Sequence, residues 1–403
     1  MAGTEQYQEK KTVLLLTGAQ SLFQTAAILL ATLSGLVGAQ LAPHRSMATL
    51  AVAVMVLAAA AMMIPASLLM QRMGRRFGFL VGTALGMGAG LVAAAAVHWH
   101  RFEWFVVAHA LFGAYQGFAQ YYRFAAADVA SPAFRPRAIS WVMMGGVVAA
   151  VAGPNLARWS QSWGPESFTG SFLVLCVLSV ASAAVLYGLR LPSLHADTAT
   201  GEARSLGQIM RQPVFLTALC GSAVGFGVMI MVMTATPLAM QVCGHPLGAA
   251  ATVIQWHVLG MFLPSFFTGH LIKRIGVLPV MALGVLALAA HVVVSMLGTD
   301  LAHFVSGLIL VGVGWNFLFI GGTTLVTEAY RPAERAKTQA AHDFLVFGLA
   351  SVASFSAGGL LTQWGWNAVN LTVLPCLALA VGAIAALAWS RRQKPHSLAN
   401  AST

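Results

Sequence analysis

Residues 213–265 read PVFLTALCGSAVGFGVMIMVMTATPLAMQVCGHPLGAAATVIQWHVLGMFLPS, two long apolar segments joined by a short turn around Cys243 to Gly248. An α-helix rises about 1.5 Å per residue, so each segment is long enough to cross a hydrocarbon layer about 30 Å thick. A short connection between two such helices makes them antiparallel neighbours. This stretch therefore predicts two membrane-spanning helices that run in opposite directions.

Apolar segments of similar length recur along the whole chain of 403 residues, of which 58% are hydrophobic and only 8% are charged. Such a composition is typical of a polytopic membrane protein. We predict an all-α fold with twelve spans, at residues 13–38, 48–70, 78–97, 104–127, 138–160, 169–190, 214–240, 248–270, 277–297, 302–325, 338–361 and 367–390. The first segment is too long for a cleavable signal peptide, so we expect it to remain as the first span.

Basic residues are distributed unevenly between the predicted loops. The formal net charge is +11, and most lysines and arginines fall on one side of the membrane if both termini are placed there. The positive-inside rule makes that side the cytoplasm. We therefore expect a multi-pass protein of the bacterial cytoplasmic (inner) membrane with both termini cytoplasmic, in contact with membrane lipid and with no nucleic acid as a partner. The cysteines lie mostly inside apolar segments, which argues against a disulfide framework.

The longest hydrophilic stretch between spans, residues 191–212, divides the chain into two halves. We predict an N-terminal six-helix half at residues 1–190, a cytoplasmic linker at 191–212 and a C-terminal six-helix half at 213–403. An internal repeat supports this division, because Arg72-Met73-Gly74 recurs as Arg274-Ile275-Gly276 at an offset of 202 residues. Two similar halves around a central substrate site are typical of secondary transporters.

Short motifs resemble the signatures of the major facilitator superfamily. Residues 67–76, SLLMQRMGRR, keep part of the pattern G-x-L-x-D-R-x-G-R-[RK], with Gln71 in place of the usual Asp. Residues 145–154 contain Gly-Gly and Gly-Pro pairs similar to the antiporter signature of span five, and residues 113–117 resemble R-x-x-Q-G with Gly113 in place of Arg. The resemblance implies the facilitator fold, with twelve helices in two pseudo-symmetric six-helix halves. The residue at position 71 argues against the usual ion pair of that loop, and Gly113 argues against a typical drug:proton antiporter.

Four residues of spans seven and eight form a candidate metal site. Met229 and Met233 are four residues apart, so they share one helix face. His257 and Met261 have the same spacing, and the helical rise places both pairs at a similar depth. The motifs M-x-x-x-M and H-x-x-x-M resemble the CcoA-type copper importers, which implies metal binding at these positions and copper supply for cytochrome c oxidase assembly, notably of the cbb3 type. Thioether and imidazole ligands suit Cu(I), while helix packing is the alternative role of the methionines.

Further polar, sulfur-containing and proline residues are candidates for subsidiary roles. They are Cys220, Met240 and Cys243 as a metal relay, Gln116, Gln120, Asn316, His342 and Asp343 for the cavity or for proton coupling, and Pro237 and Pro264 as helix bends. A proline removes one backbone donor and bends a helix. The structural alternatives are packing for the thiols, hydrogen bonds between helices for the polar side chains, and pairing with arginine-rich loops for Asp343.

No enzyme signature is present, because the sequence contains no nucleotide-binding G-x-x-x-x-G-K-[ST], no C-x-x-C and no H-E-x-x-H motif. We expect a transporter that imports copper, as Cu(I), by alternating access. The copper ion is then the transported substrate, with no permanent cofactor and with a cytoplasmic copper chaperone or oxidase assembly factors as partners. One alternative is a proton-coupled transporter of a small organic solute or drug, whose contacts are Trp315, Asn316, Gln116 and Gln120. A second alternative is a membrane sensor or assembly scaffold that transports nothing.

Overall fold

The computed structural model describes residues 2–44, 47, 50–164, 166–189, 191 and 203–399. All regular secondary structure within these ranges is helical. The helices are α1 (Ala2–Leu41), α2 (Leu50–Met73), α3 (Arg75–His98), α4 (Phe102–Ala119), α5 (Tyr122–Val129), α6 (Arg135–Ser160), α7 (Thr169–Tyr187), α8 (Leu206–Met210), α9 (Pro213–Val242), α10 (Leu247–Phe262), α11 (Ser265–Ile275), α12 (Val277–Leu297), α13 (Leu301–Val326), α14 (Arg335–Leu371) and α15 (Val373–Ala399), with a 3-10 helix at Pro332–Glu334.

The helices agree with the predicted spans, and the chain is an all-α, multi-pass membrane protein. In the described part of the chain, nine helical stretches are long and apolar enough to cross a membrane. The remaining predicted spans are interrupted or joined. Span four is divided between α4 and α5, span eight is divided between α10 and α11, and spans eleven and twelve lie in one stretch from Pro332 to Gln393.

The chain divides into two compact units, and the first consists of Met1–Thr200 and Gln339–Ser351. Within this unit α1 packs on α6, α2 packs on α4, and α3 packs on α4 and α7. The second unit consists of Gly201–Thr338 and Val352–Thr403. Its central helix is α13, which packs against α9, α10 and α12, while α15 packs on α9 and α12. Residues 192–202 of the predicted linker lie outside the described residues.

The internal repeat seen in the sequence has a matching backbone conformation. Gly74 separates α2 from α3 with φ 85° and ψ 152°, and Gly276 separates α11 from α12 with φ 93° and ψ 163°. Only glycine readily adopts this combination of angles, because a Cβ atom would clash with the neighbouring backbone. The same single-residue break therefore connects two antiparallel helices in each half of the sequence.

Replacement of Gly276 by alanine is expected to destabilise the protein by about 1–3 kcal/mol, because a residue with a Cβ is strained at these angles. The expected result is a lower Tm of the purified protein in detergent. Gly382 is the matched control, since it lies inside α15 with nothing within 4 Å of an added Cβ and no positive φ. Equal Tm values for Gly276→Ala and Gly382→Ala would contradict this explanation.

A buried carboxylate anchors the segment that follows the predicted linker. Glu334, which is 0% exposed, accepts hydrogen bonds from the backbone nitrogen of Arg204 at 2.8 Å and from its Nε at 2.8 Å. The same contact raises the pKa of Arg204, because hydrogen bonding to the carboxylate favours the charged guanidinium. Lys337 donates to the carbonyl of Arg204, and Gln212 donates to the carbonyl of Ala329 at 2.9 Å. The start of α9 is thereby held against the loop between α13 and α14.

Candidate functional site

Within the second unit, α10 and α13 approach each other closely at two glycines. A Cβ on Gly312 would lie 2.6 Å from both the carbonyl oxygen of His257 and the backbone nitrogen of Met261. A Cβ on Gly260 would lie 2.8 Å from the carbonyl oxygen of Ile309. The absence of side chains at these two positions lets the backbones meet, and this contact fixes the part of α10 that carries His257 and Met261.

His257 is fully buried and is held by the backbone of α13. Its Nδ1 lies 2.8 Å from the carbonyl oxygen of Leu308. A carbonyl oxygen only accepts hydrogen bonds, so the ring carries its proton on Nδ1 and presents an unprotonated Nε2. That nitrogen has no hydrogen-bond partner among the described residues. The imidazole is therefore oriented with one acceptor atom available to a donor or to a soft metal ion.

The other members of the predicted metal site lie on the expected helices. Met229 on α9 and Met261 on α10 are buried, and Met233 on α9 is half-buried. Within the described residues no cluster of three or more His, Cys, Asp or Glu side chains is arranged to hold a metal ion. A metal site here would therefore depend on the methionine sulfurs, and the convergence of the four side chains on one ion stays a prediction.

The predicted relay residues are spread along α9 and do not form a cluster in the contacts described. Cys220 is half-buried near the start of α9, Met240 is buried near its end, and Cys243 is exposed just after it. All four cysteines of the chain are free thiols. Helix α9 continues through Pro237 without interruption, so any effect of this proline is smaller than a break in the helix.

Four rings from three helices form an aromatic cluster in the second unit. The aromatic cluster consists of Phe226 on α9, Phe262 on α10, and Trp315 and Phe319 on α13. Trp315 stacks on Phe319 with a centroid distance of 5.0 Å and an interplanar angle of 16°. Its centroid lies 5.6 Å from that of Phe262 and 6.2 Å from that of Phe226. These distances are typical of attractive aromatic pairs.

The indole of Trp315 is an unusual member of this cluster. The side chain is 3% exposed, and its Nε1–H has no acceptor among the residues that the structure describes. Buried indole N–H groups usually have a hydrogen-bond partner, because leaving a donor unsatisfied costs about 1–3 kcal/mol. The aromatic cluster is therefore a buried group of rings with one unused hydrogen-bond donor, the Nε1–H of Trp315.

Asn316, which follows Trp315 on α13, forms hydrogen bonds on both sides of the helix interruption in predicted span eight. Helix α10 ends at Phe262 and α11 begins at Ser265, with Pro264 between them. The Asn316 amide donates to the carbonyl of Met261 at 2.6 Å and to the Ser265 hydroxyl at 2.7 Å. Its Oδ1 accepts from the Thr268 hydroxyl at 2.7 Å. Asn316 is thus engaged with protein groups, whereas the sequence suggested that it would line a cavity.

Replacement of Asn316 by alanine is expected to lower stability by about 1–3 kcal/mol, because the buried Met261 carbonyl and Thr268 hydroxyl lose a partner in a water-free interior. The readout is the Tm of the purified protein. Asn155 is the matched control, since its amide donates to the Val151 carbonyl at an exposed position on α6. A Tm loss of the same size for Asn155→Ala would contradict the explanation that the hydrogen bonds of Asn316 stabilise the protein because they are buried.

In the first unit, three predicted polar residues meet around an arginine. Nη2 of Arg123 donates to Oδ1 and Oδ2 of Asp343 at 2.8 and 2.7 Å. Its Nη1 donates to the side-chain oxygen of Gln120 at 2.5 Å, and Nδ1 of His342 lies 2.9 Å from Oδ1 of Asp343. Arg123 is 2% exposed, while His342 and Asp343 are fully buried. We call these four residues the ion-pair cluster.

The break between α4 and α5 positions this arginine, because α4 ends just before Gln120 and α5 begins at Tyr122. Arg123 was not among the residues predicted to act in the cavity or in proton coupling. The sequence does contain a signal for Arg123, because it is the one charged residue inside the predicted span 104–127. Ionisable residues inside a membrane usually have a functional role. Gln116, one turn earlier on α4, is half-buried and is not part of the ion-pair cluster.

A second arginine, Arg75, binds helix α14 one turn before Asp343. Arg75 belongs to the motif at residues 67–76 and lies 2.6 Å from Oδ2 of Asp128. Its Nη2 also donates to Oε1 of Gln339 at 2.9 Å, four residues before Asp343 on α14. The motif therefore forms an ion pair through Arg75 even though its usual aspartate is replaced by Gln71. Two arginines of the first unit thus bind Gln339 and Asp343 of α14, which belong to the same unit.

Twelve predicted spans, a sequence repeat with matching glycine breaks and buried polar clusters inside apolar helices define a secondary transporter. Comparison with known protein families leads to the same class of protein. Residues 14–341 and 244–403 match the sequence model described as Major Facilitator Superfamily, and the chain belongs to this family. The family and the relatives named below are transporters and not enzymes.

Individual relatives cover almost the whole chain. The riboflavin transporter RfnT of Brucella anthropi is 41% identical over 381 residues, which cover 94% of this chain and 96% of the relative. The uncharacterized MFS-type transporter YdeG of Bacillus subtilis is 30% identical over 378 residues, covering 89% and 87%. Among solved structures, the transporter FucP in its outward conformation superposes with a TM-score of 0.74 at 17% identity, covering 92% of this chain and 97% of FucP. The last similarity concerns the fold alone.

Proposed function

We propose that this protein carries riboflavin, or a closely related planar solute, across the bacterial cytoplasmic membrane by alternating access. The observation that carries the proposal is the 41% identity to a riboflavin transporter over 94% of the chain. The uneven distribution of basic residues supports cytoplasmic termini. The substrate is then a small organic molecule, as in the alternative drawn from the sequence.

The aromatic cluster supports a substrate of this kind. Riboflavin combines a flat isoalloxazine ring, two ring carbonyls, one ring N–H and a chain of hydroxyl groups. On this proposal the ring stacks against Trp315 and Phe226 when alternating access opens the buried cluster to the substrate, and a ring carbonyl accepts the hydrogen bond that Trp315 Nε1 leaves unused. Stacking of a heteroaromatic base on an aromatic side chain contributes about 1–3 kcal/mol. Nε2 of His257 can accept a hydrogen bond from the ring N–H or from a hydroxyl group.

The copper hypothesis is not supported by the comparisons. The resemblance to CcoA-type importers rested on Met229, Met233, His257 and Met261, whereas the full-length similarity is to a riboflavin transporter. Methionine is common in membrane helices and fills irregular gaps there, so two methionines at helical spacing form easily without a metal-binding role. The buried imidazole has a second explanation, because Nδ1 of His257 joins α10 to α13 through Leu308. A copper chaperone and oxidase assembly factors as partners depend on the copper hypothesis and stay predictions.

The proposal is tested by uptake into membrane vesicles that contain the overproduced protein. We expect saturable uptake of radiolabelled riboflavin and no uptake of radioactive copper above that of vesicles lacking the protein. The double variant Met229→Leu/Met233→Leu removes both sulfurs while keeping apolar volume, so it should retain riboflavin uptake. Copper uptake that disappears in this double variant, without riboflavin uptake by the wild type, would restore the copper hypothesis. Uptake of neither compound would leave the sensor or scaffold hypothesis.

A further inference from the structure

Two buried histidines of the second unit each present an unused ring nitrogen. The first is His257, whose Nδ1 donates to the carbonyl of Leu308 and whose Nε2 has no partner among the described residues. The second is His291 on α12, which is also fully buried and has its Nδ1 3.1 Å from the carbonyl oxygen of Gly307. A carbonyl oxygen only accepts hydrogen bonds, so this Nδ1 carries the proton and Nε2 is an acceptor. Within the described residues, Nε2 of His291 has no hydrogen-bond partner either.

Helix α13 brings the two imidazole rings into one region. The carbonyls that hold them belong to the consecutive residues Gly307 and Leu308, and α10 and α12 both pack on α13. A Cβ on Gly307 would lie 3.2 Å from Nδ1 of His291, so the absence of a side chain there lets the ring approach the backbone. The rings of His257 and His291 are close enough to interact electrostatically. Two acceptor nitrogens therefore lie in the same buried part of the second unit.

A third acceptor in this region belongs to Asn370, near the end of α14. Its amide lies beside the ring of His291. Nδ2 of Asn370 donates to the carbonyl of Trp366 at 2.8 Å, which orients the amide, and Oδ1 has no hydrogen-bond partner in the described part of the chain. Two acceptors cannot bond to each other, so Nε2 of His291 and Oδ1 of Asn370 both need a donor from elsewhere. We call His257, His291 and Asn370, all of them fully buried, the acceptor cluster.

A molecule that satisfies the acceptor cluster must donate hydrogen bonds and carry no charge. Buried acceptors without a donor are rare and costly. A cation would be buried there without a counter-charge, because neither ring lies beside a carboxylate within the residues that the structure describes. A hydroxyl group is neutral and donates a hydrogen bond, and several hydroxyl groups on one molecule match several acceptors. Ordered water has the same donors, and the hydroxyl groups of a solute would replace it.

The acceptor cluster lies next to the aromatic cluster along the helices. On α13, Leu308 precedes Trp315 by seven residues, so the two residues share one face about 10 Å apart. On α10, His257 precedes Phe262 by five residues, or about 7.5 Å. The rings of Phe262 and Trp315 are in contact, with centroids 5.6 Å apart. The second unit therefore has a group of rings at one level and hydrogen-bond acceptors up to two turns away, toward the starts of α10 and α13.

We propose that the acceptor cluster binds the hydroxyl groups of a polyhydroxylated chain, while the ring that carries this chain stacks in the aromatic cluster. In riboflavin the chain is the ribityl group, and the acceptor cluster distinguishes riboflavin from flavins without hydroxyl groups. The hydroxyl groups reach these buried side chains when alternating access opens this region. The ribityl group as ligand rests on the proposed function, whereas the binding of hydroxyl groups by the acceptor cluster does not depend on the ring.

Lumiflavin isolates the contribution of the chain, because it has the isoalloxazine ring of riboflavin with a methyl group in place of the ribityl group. The measurement is the inhibition of labelled riboflavin uptake into vesicles by unlabelled riboflavin and by lumiflavin. We expect the inhibition constant of riboflavin in the wild type to be lower by about tenfold or more, because the chain adds several hydrogen bonds. The ratio of the two constants does not depend on how much folded protein the vesicles contain.

Two variants remove single acceptors from the cluster. His291→Asn keeps a donor close to the position of Nδ1 and the contact with Gly307 but removes Nε2, and Asn370→Leu keeps the volume of the side chain but removes Oδ1. Each should reduce the preference for riboflavin over lumiflavin by about three- to tenfold, the value of one hydrogen bond. His291→Gln places an amide near the position of Nε2 and should recover part of the preference.

The matched control is His109→Asn in the first unit. His109 is also fully buried, but both of its ring nitrogens are engaged, with the Ser34 hydroxyl at 2.7 Å and the Phe105 carbonyl at 2.9 Å. This variant should keep the wild-type ratio of inhibition constants. A change in the ratio as large as that of His291→Asn would overturn the proposal, because loss of any buried imidazole would then have the same effect.

The proposal is also overturned if the wild type is inhibited equally by riboflavin and lumiflavin. It is overturned if folded His291→Asn or folded Asn370→Leu keeps the wild-type ratio, since the acceptors then bind ordered water only. If one of these variants fails to fold, the comparison of the two flavins in the wild type and the other variant still decide the outcome.

A binding measurement separates failure of this inference from failure of the proposed function. If the wild type takes up no riboflavin, equilibrium dialysis of the purified protein with radiolabelled ribitol tests the acceptor cluster alone. Ribitol bound by the wild type and not by His291→Asn would mean that the acceptor cluster binds hydroxyl groups and that riboflavin is the wrong solute. Absence of ribitol binding would overturn both proposals. Riboflavin uptake whose preference over lumiflavin is the same in wild type and variants leaves the proposed function in place and overturns this inference alone.

Discussion

Replacement of Trp315 by alanine is expected to reduce riboflavin transport at low substrate concentration by about 10- to 100-fold, because stacking on an aromatic ring contributes about 1–3 kcal/mol. Trp315 is the central ring of the aromatic cluster, with centroids of the other rings at 5.0 to 6.2 Å. It also carries the buried Nε1 donor that lacks an acceptor among the described residues. The effect should appear mainly as a higher KM in initial-rate measurements of labelled riboflavin uptake.

The conservative variant Trp315→Phe separates stacking from hydrogen bonding. Phenylalanine keeps an aromatic face but has no N–H, so we expect a KM increase of about tenfold, the value of one buried hydrogen bond. Trp389 on α15 is the matched control, since it is 66% exposed and Trp389→Ala should transport riboflavin as the wild type does. If folded Trp315→Phe and Trp315→Ala both keep the wild-type KM, the aromatic cluster is not the substrate site.

Gly312→Ala is expected to cause the largest loss of stability among single-methyl changes near the site. The added Cβ would lie 2.6 Å from two backbone atoms of α10, which cannot move aside as the end of a flexible side chain can. Helix α10 must then shift away from α13, and overpacking of this kind typically costs about 1–3 kcal/mol. Because α10 carries His257 and Phe262, riboflavin uptake should decrease together with the Tm.

Gly348→Ala is the control for this prediction and should have the opposite sign. Gly348 lies inside α14 with nothing within 4 Å of an added Cβ. Alanine restricts the unfolded chain and favours the helix, so it stabilises by about 0.4–1 kcal/mol where space is available. We therefore expect a raised Tm for Gly348→Ala and a lowered Tm for Gly312→Ala in the same detergent. A higher Tm for Gly312→Ala would show that α10 and α13 are not closely packed.

The copper motif shows how far residue spacing can be interpreted. A spacing of four residues correctly places Met229 and Met233 on one helix and His257 and Met261 on another. It carries no information about what each helix faces. His257 is bound through Nδ1 to α13, a helix that the motif does not include. Both the metal hypothesis and a packing role are compatible with the same spacing, and the full-length similarity favours an organic solute.

Two sequence predictions about polar residues had different outcomes for a related reason. Gln120, His342 and Asp343 are ionisable or polar residues inside apolar segments, and the structure brings them together around Arg123. Asn316 meets the same criterion, but its amide forms hydrogen bonds at the helix interruption next to Pro264. A polar residue inside a membrane must find a partner, and the sequence does not reveal whether that partner is another functional group or an interrupted backbone.

The sequence by itself determined the helical, multi-pass architecture and the repeat between its halves. Segment length and apolar composition are local properties, and the conformation of Gly74 and Gly276 is available almost only to glycine, so both features are encoded within a few residues. Only the tertiary structure decided that Arg123 binds Asp343, 220 residues later, and that rings from α9, α10 and α13 surround Trp315. Such partnerships depend on which helix faces pack together, because helical spacing defines the face of a residue and leaves the opposing side chain undetermined.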